Sequence, residues 1–142
     1  MKKMKRIVLI SCGSQKLDKK TKAEDLYTST LFKLNLQFAK KQKPDEIFIL
    51  SAKHGLLGLN DGIEPYDVTL KNMPAKDRKS WADGVLKQLN NRFSLKNDYF
   101  IILAGSLYRQ FLLPELYSYE IPLEGMPIGK QLRYLKRKLN DG

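Results

Sequence analysis

Cysteine and histidine are nearly missing: the 142 residues contain one of each, Cys12 and His54. A disulfide framework within the chain is therefore excluded, as is a zinc site built from cysteines. No metal set is expected, and no particular cofactor is specified. Acidic residues are scarce as well, 15 against 26 Lys and Arg, for a net charge of +11. Such an excess attracts polyanions and makes their binding salt-dependent. A nucleotide or nucleic acid is the expected partner. Long apolar runs are lacking: none approaches the ~20 residues of a membrane span. At the N-terminus only Ile7 to Ile10 are continuously apolar, short of the roughly 7–15 residues of a secretory core. The expectation is a soluble cytoplasmic protein without a membrane partner. What is present, 42% hydrophobic against 29% charged residues, suffices for one packed core, read as a single domain over 1–142.

Four short runs read as strands. Arg6–Ser11, Glu46–Ser51 and Tyr99–Ala104 are continuously apolar, the pattern of strands covered on both faces in a parallel sheet. Tyr119–Leu123 is weaker, because Pro122 confines it to an edge. Helical spacing lies between them. Leu31, Leu34 and Phe38 define a first helix, closed by Lys40, Lys41 and Pro44. Trp81, Val85, Leu89 and Phe93 define a second, with Ser80 as its expected cap. Leu107 to Tyr117 is a third, interrupted at Pro114. The last places Ile128, Leu132, Leu135 and Leu139 on one face and basic side chains on the others. The alternation predicts an α/β fold: a single compact Rossmann-like domain with a mainly parallel sheet of about four strands flanked by helices.

Each strand runs into a small polar turn containing glycine, and ligands of open α/β sheets bind beyond the carboxyl ends of the strands. After the first strand, Gly13 admits a phosphate to the backbone, Ser14 donates a hydrogen bond and Lys16 supplies charge beside the reacting groups. This stretch lacks the spacing of a P-loop. Cys12 reads as a small buried strand-end residue that also borders the ligand. After the second strand come Ser51, Lys53, His54 and Gly55. With an ordinary pKa near 6.5, His54 exchanges protons at neutral pH. Glu64 and Asp67 flank a turn at Pro65, where paired carboxylates serve acid/base work, stabilise an oxocarbenium ion or hold a metal. Asp67 alternatively caps a helix beginning near Val68. Tyr27 and Tyr66 are candidate stacking surfaces for a base, and Ser29 is both a candidate ligand and a natural N-cap. Gly105, Ser106, Tyr108, Glu124 and Gly125 complete the expected site. On the last helix, Lys130, Arg133, Lys136 and Arg137 form either a solvated face or a nucleic-acid-binding one.

Several of these blocks resemble a known group. Cys12-Gly13-x-x-Lys16, Leu26-Tyr27-Thr28-Ser29-x-Leu31-Phe32, Leu50-Ser51-Ala52-Lys53-His54-Gly55-Leu56-Leu57 and Ile63-Glu64-Pro65-Tyr66-Asp67 resemble a small uncharacterised prokaryotic and phage domain that is similar to the YaaA peroxide-stress proteins. Leu103-Ala104-Gly105-x-x-Tyr108 and Pro122-Leu123-Glu124-Gly125-x-x-Ile128-Gly129-x-x-Leu132 extend the resemblance along the chain. YaaA proteins are implicated in limiting oxidative DNA damage and in binding DNA. Cys12, Lys16, Tyr27 and Ser29 also partly resemble the core of archaeosine synthase, where a lysine is added to tRNA; the histidine expected next is Phe32 here. Both relatives handle nucleic acid or its bases.

Together these readings predict a nucleotide- or nucleic-acid-processing enzyme acting on a base or an N-glycosidic bond. Gly13, Ser14 and Lys16 would hold phosphate, Asp67 or Glu64 would stabilise positive charge, and His54 would protonate the leaving group. The competing expectation is a non-enzymatic DNA- or RNA-binding protein of the YaaA-like type, acting through the last helix.

Overall fold

A computed structural model describes residues 3–141. The three continuous apolar runs form strands β1 (Arg6–Ser11), β3 (Glu46–Ser51) and β6 (Tyr99–Leu103). β1 pairs in parallel with β3 on one side and β6 on the other, Val8 lying between Ile47 and Ile101. A main sheet of five strands has the order β4-β3-β1-β6-β7. β4 (Gly55–Gly58) is antiparallel to β3, and β7 (Ser118–Glu120) is parallel to β6. A separate two-stranded ribbon joins β2 (Thr21–Lys22) and β5 (Gly62–Ile63).

Helices cover both faces, which is why the strands carry continuous apolar runs. α1 is the single turn Ala23–Leu26. α2 (Thr30–Lys41) and α5 (Ile128–Asn140) pack together on one face, over Val8, Ile10, Ile49, Ile101 and Leu103. α3 (Ala75–Asn90) lies on the other, over Ile7, Leu9, Phe48, Leu50, Phe100 and Ile102. Adjacent residues of one strand thus enter opposite cores, the period-2 geometry of a pleated strand. α4 (Ser106–Arg109) follows β6 directly. Among the described residues, no helix is long and apolar enough to cross a membrane.

Several expectations are corrected. The main sheet has five strands rather than about four, because Gly55–Gly58 turns back on β3. The Lys53–Gly55 stretch is the turn of the β3–β4 hairpin, and its tightness rests on Gly55 at φ +74°. The last strand is Ser118–Glu120, so Pro122 stands beyond it, where a missing N–H costs nothing. α3 begins at Ala75, five residues ahead of Ser80, with Pro74 as its N-cap, and Ser80 lies within the helix. Asp67 caps no helix: a 3-10 turn over Leu70–Asn72 is capped by the Thr69 side chain, which accepts from the Lys71 N–H. The stretch 107–117 is no continuous helix but α4 followed by a 3-10 turn at Leu113–Glu115 around Pro114. On α5, Leu135 alone of the four apolar positions is buried, and Ile128 is 57% exposed.

Asp98 closes the sheet at its amino end. It is buried, and its two oxygens accept from the Lys5 N–H and the Ser94 N–H, each at 2.8 Å. Asp98→Ala should cost about 1–3 kcal/mol, because two partly buried backbone donors lose their charged acceptor. Asp98→Asn, which keeps one acceptor oxygen, should recover roughly half of that loss. Urea denaturation with an unchanged m-value is the measurement.

Candidate functional site

The order β4-β3-β1-β6-β7 makes the boundary between β1 and β6 a topological switch point. From β1 the chain passes through α2 to β3 on one side, and it returns through α3 on the opposite face to β6 on the other. Loops leaving β1 and β6 diverge there, and a crevice opens at the carboxyl ends of the strands. A cleft of about 450 Å³ occupies this place. One wall is the β1 loop, with Cys12, Gly13, Ser14 and Lys16. The other consists of Asp67 to Thr69 with Lys71 and Asn72, and Tyr108 of α4 closes the end under β6.

Local sequence explains the β1 loop. Ser29 caps α2 by accepting from the Phe32 N–H at 3.2 Å. A Cβ built on Gly13 would lie 3.2 Å from the Ser29 hydroxyl, so the loop lies close against the helix start. The loop is held to the chain before α2 by the Thr28 N–H donating to the Gln15 carbonyl and the Leu17 N–H to that of Leu26. Ser29 is thus a structural partner of the loop rather than a lining residue.

Behind the Lys16 wall lies a hydroxyl network. Ser51, fully buried at the end of β3, accepts from the N–H groups of Lys53 and His54. Its own hydroxyl donates to the Tyr66 oxygen at 2.7 Å, and Tyr66 and Tyr27 share a hydrogen bond of 2.6 Å. The Ser51 carbonyl accepts from the Trp81 indole at 2.8 Å, and Trp81 packs edge-on against Tyr108. Tyr108 in turn lies 3.3 Å from the Cys12 sulfur. The Lys16 ammonium stands 4.5 Å from the centre of the Tyr66 ring and donates to the Ser14 carbonyl.

Burial dominates the electrostatics. It pushes the Tyr27 phenol up to about 12. Tyr66 and Tyr108 are pushed well above the ordinary tyrosine value, by burial first and then by Cys12 beside them. His54 is lowered from 6.5, by its partial burial and then by the Lys53 charge. These phenols are neutral hydrogen-bonding groups at physiological pH.

The structure brings Cys12, Gly13, Ser14, Lys16, Asp67 and Tyr108 together around one cleft. Tyr66, Ser51 and His54 form the layer beside it, His54 edge-on to the Tyr66 ring at 5.5 Å. Cys12 is half-buried rather than a fully buried strand-end residue. Tyr27 cannot stack on a base: it is 1% exposed and packs in the core against Phe32. The Tyr66 ring is covered by Lys16. Glu64 is exposed and outside the cleft lining, which separates it from Asp67. Gly55 supports the hairpin, with Gln88 of α3 against it. Lys53, Gly105, Ser106, Glu124 and Gly125 are not among the lining residues. Gly105 is the N-cap of α4, and Gly125, at φ +78°, turns the chain toward α5. Lys130, Arg133, Lys136 and Arg137 are exposed on α5. Among the described residues, no group of three His, Cys, Asp or Glu side chains could hold a metal ion.

Sequence reasoning missed Thr69, Lys71 and Asn72 in the cleft and Trp81 behind it. Trp81 read as a helix core position, and nothing in the polar 69–72 stretch marks it until the fold returns it to β1. A larger hollow, about 800 Å³, lies at the opposite end of the sheet beside Lys5, Phe93 and Asp98. The Asp98 carboxylate there is already occupied by backbone N–H groups.

Among known proteins, the family model for DUF6884, a family of unknown function, matches residues 7–137, and the chain belongs to that family. No curated protein and no solved structure matches.

Two outcomes are expected from this geometry. Folding holds the proton on Tyr27, Tyr66 and Tyr108, so their contribution to stability is complete below pH 10 and is lost as pH rises toward and through about 12. Denaturation followed from pH 8 to 12 should show that fall, and Tyr66→Phe should flatten it. His54, the single histidine, should titrate below 6.5 in an NMR experiment, and Lys53→Ala should move its midpoint upward by removing a like charge.

Proposed function

We propose that the cleft between β1 and β6 binds a nucleotide and that the protein acts on its base or N-glycosidic bond. The observation that carries this reading is the position and lining of the cleft: a topological switch point flanked by two lysines, a glycine turn and one carboxylate. Gly13 and Ser14 approach a phosphate through backbone and hydroxyl, and Lys16 and Lys71 neutralise it from opposite walls. The resemblance of Ser51–Asp67 to YaaA proteins and the net charge of +11 point to the same partner chemistry.

In this reading water replaces the base at C1′ and releases its proton to solvent, and Asp67 is the carboxylate that stabilises positive charge on the sugar as the glycosidic bond breaks, because Glu64 stands outside the lining. His54, which stands beside the cleft edge-on to the Tyr66 ring, is the proposed proton donor to the departing base. Its pKa is lowered from the ordinary 6.5, so turnover should rise as pH falls below that value.

The test combines calorimetric titration with nucleoside 5′-monophosphates and a chromatographic assay for released or altered base. Lys16→Ala and Lys71→Ala should each weaken binding about tenfold, the loss of one charge-assisted contact. Asp67→Ala and His54→Ala should abolish turnover while leaving affinity within about threefold, as expected for groups acting mainly in the transition state. Unchanged turnover in both variants would end the enzymatic reading.

A further inference from the structure

The cleft and the last helix are connected by the fold. β7 runs parallel to β6, so the chain leaves it at the carboxyl end of the sheet and turns at Gly125 into α5. α5 starts at that end and packs along α2, whose own start is capped by Ser29 against the Gly13 loop. The Lys41 ammonium, at the far end of α2, donates to the carbonyls of Lys138, Leu139 and Asp141. The two helices therefore run in the same direction, and the start of α5 stands at the end of the sheet that holds the cleft.

α5 carries Lys130, Arg133, Lys136, Arg137 and Lys138 and no acidic residue. Lys130, Arg133 and Arg137 are exposed, fall at i, i+3 and i+7, and oppose buried Leu135. Among the described residues none of the three is in an ion pair. Residues so spaced form one stripe about 10 Å long on a helix. That length corresponds to about three nucleotides at the ~3.4 Å rise of a stacked strand. A free mononucleotide bound in the cleft has no use for such a stripe.

We propose that the substrate is a nucleotide within or at the end of a single-stranded nucleic acid, held by its flanking phosphates along Lys130, Arg133 and Arg137 of α5. This rests on the nucleotide reading of the cleft and names its substrate class. A single strand is favoured because a base in a duplex is stacked and paired, and enters a pocket of one nucleotide only at the added cost of extrusion. An anionic membrane is a poorer match: the apolar side of α5 is turned to α2 and the sheet, with Leu135 buried and Tyr134 against Phe38.

The experiment is an anisotropy titration with labelled 12-nucleotide single-stranded RNA, single-stranded DNA and the corresponding duplex, from 50 to 300 mM KCl. Wild type is compared with K130Q/R133Q/R137Q, whose exposed positions leave the core intact, and with K16A/K71A. Wild type should bind a single strand more tightly than the duplex. The triple variant should lose about tenfold or more at 50 mM, with a salt slope shallower by about 2, as expected for three lost phosphate contacts at ~0.7 each. Its affinity for nucleoside monophosphates should stay within about twofold of wild type, whereas K16A/K71A should lose both ligands. Duplex bound as tightly as single strand would overturn the proposal. So would an unchanged triple variant, or a preference for phosphatidylserine vesicles over the oligonucleotide. Failure of wild type to bind any monophosphate strikes the cleft reading instead, and the triple variant's effect on the strand then measures the α5 surface by itself.

Discussion

Burial of β1 on both faces is the constraint from which the molecule follows. Ile7 to Ile10 are wholly buried, alternate between two cores, and are hydrogen-bonded to parallel strands on both sides. A strand so enclosed cannot carry polar chemistry along its length. Its first freedom comes where it ends, at Ser11 and Cys12, and the chain there must leave toward one face. Because β3 and β6 are reached over opposite faces, the space above β1 and β6 stays open. The cleft is thus a consequence of strand order, and the residues that line it are those the loops release at that point.

The chemistry around the cleft divides into a soft, charged surface and a stiff support. Lys16, Lys71 and Asp67 face the opening. Behind them, Ser51, Tyr66, Tyr27 and Trp81 are joined by hydrogen bonds that fix the hairpin after β3 and the wall beside Lys16. Two backbone N–H groups end on the Ser51 oxygen, so its own hydrogen is directed to Tyr66. Such a network holds the wall of the cleft in place, so that a ligand bound there would cost little in ordering. The aromatic side chains contribute through their hydroxyls and edges rather than as open stacking surfaces.

Charge is arranged on a larger scale. The cleft and the start of α5 stand at the same end of the sheet, because α2 and α5 run together from there. In the proposed reading, a polyanion steered to this end by long-range attraction would meet the groups of the cleft and those of the helix in the same approach.

Short-range patterns were legible without the fold. β1, β3 and β6 begin where the apolar runs begin and end within a residue of them, Ser29 caps α2, and the polar strand-end turns place Gly13, Ser14 and Lys16 in the cleft. These features depend on neighbours within a few residues, and hydrophobic periodicity and capping report such neighbours directly. Other features depend on pairings distant in sequence. β4 is recognisable only once Gly55 turns the chain back on β3. Asp67 is distinguished from Glu64, and Lys71 and Asn72 become lining residues, only when their loop is laid against β1. Tyr27 changes from an open aromatic surface to a core residue only when Phe32 and Tyr66 close on it. Local energetics determined the elements; long-range packing, which no window of sequence contains, decided which of their ends meet.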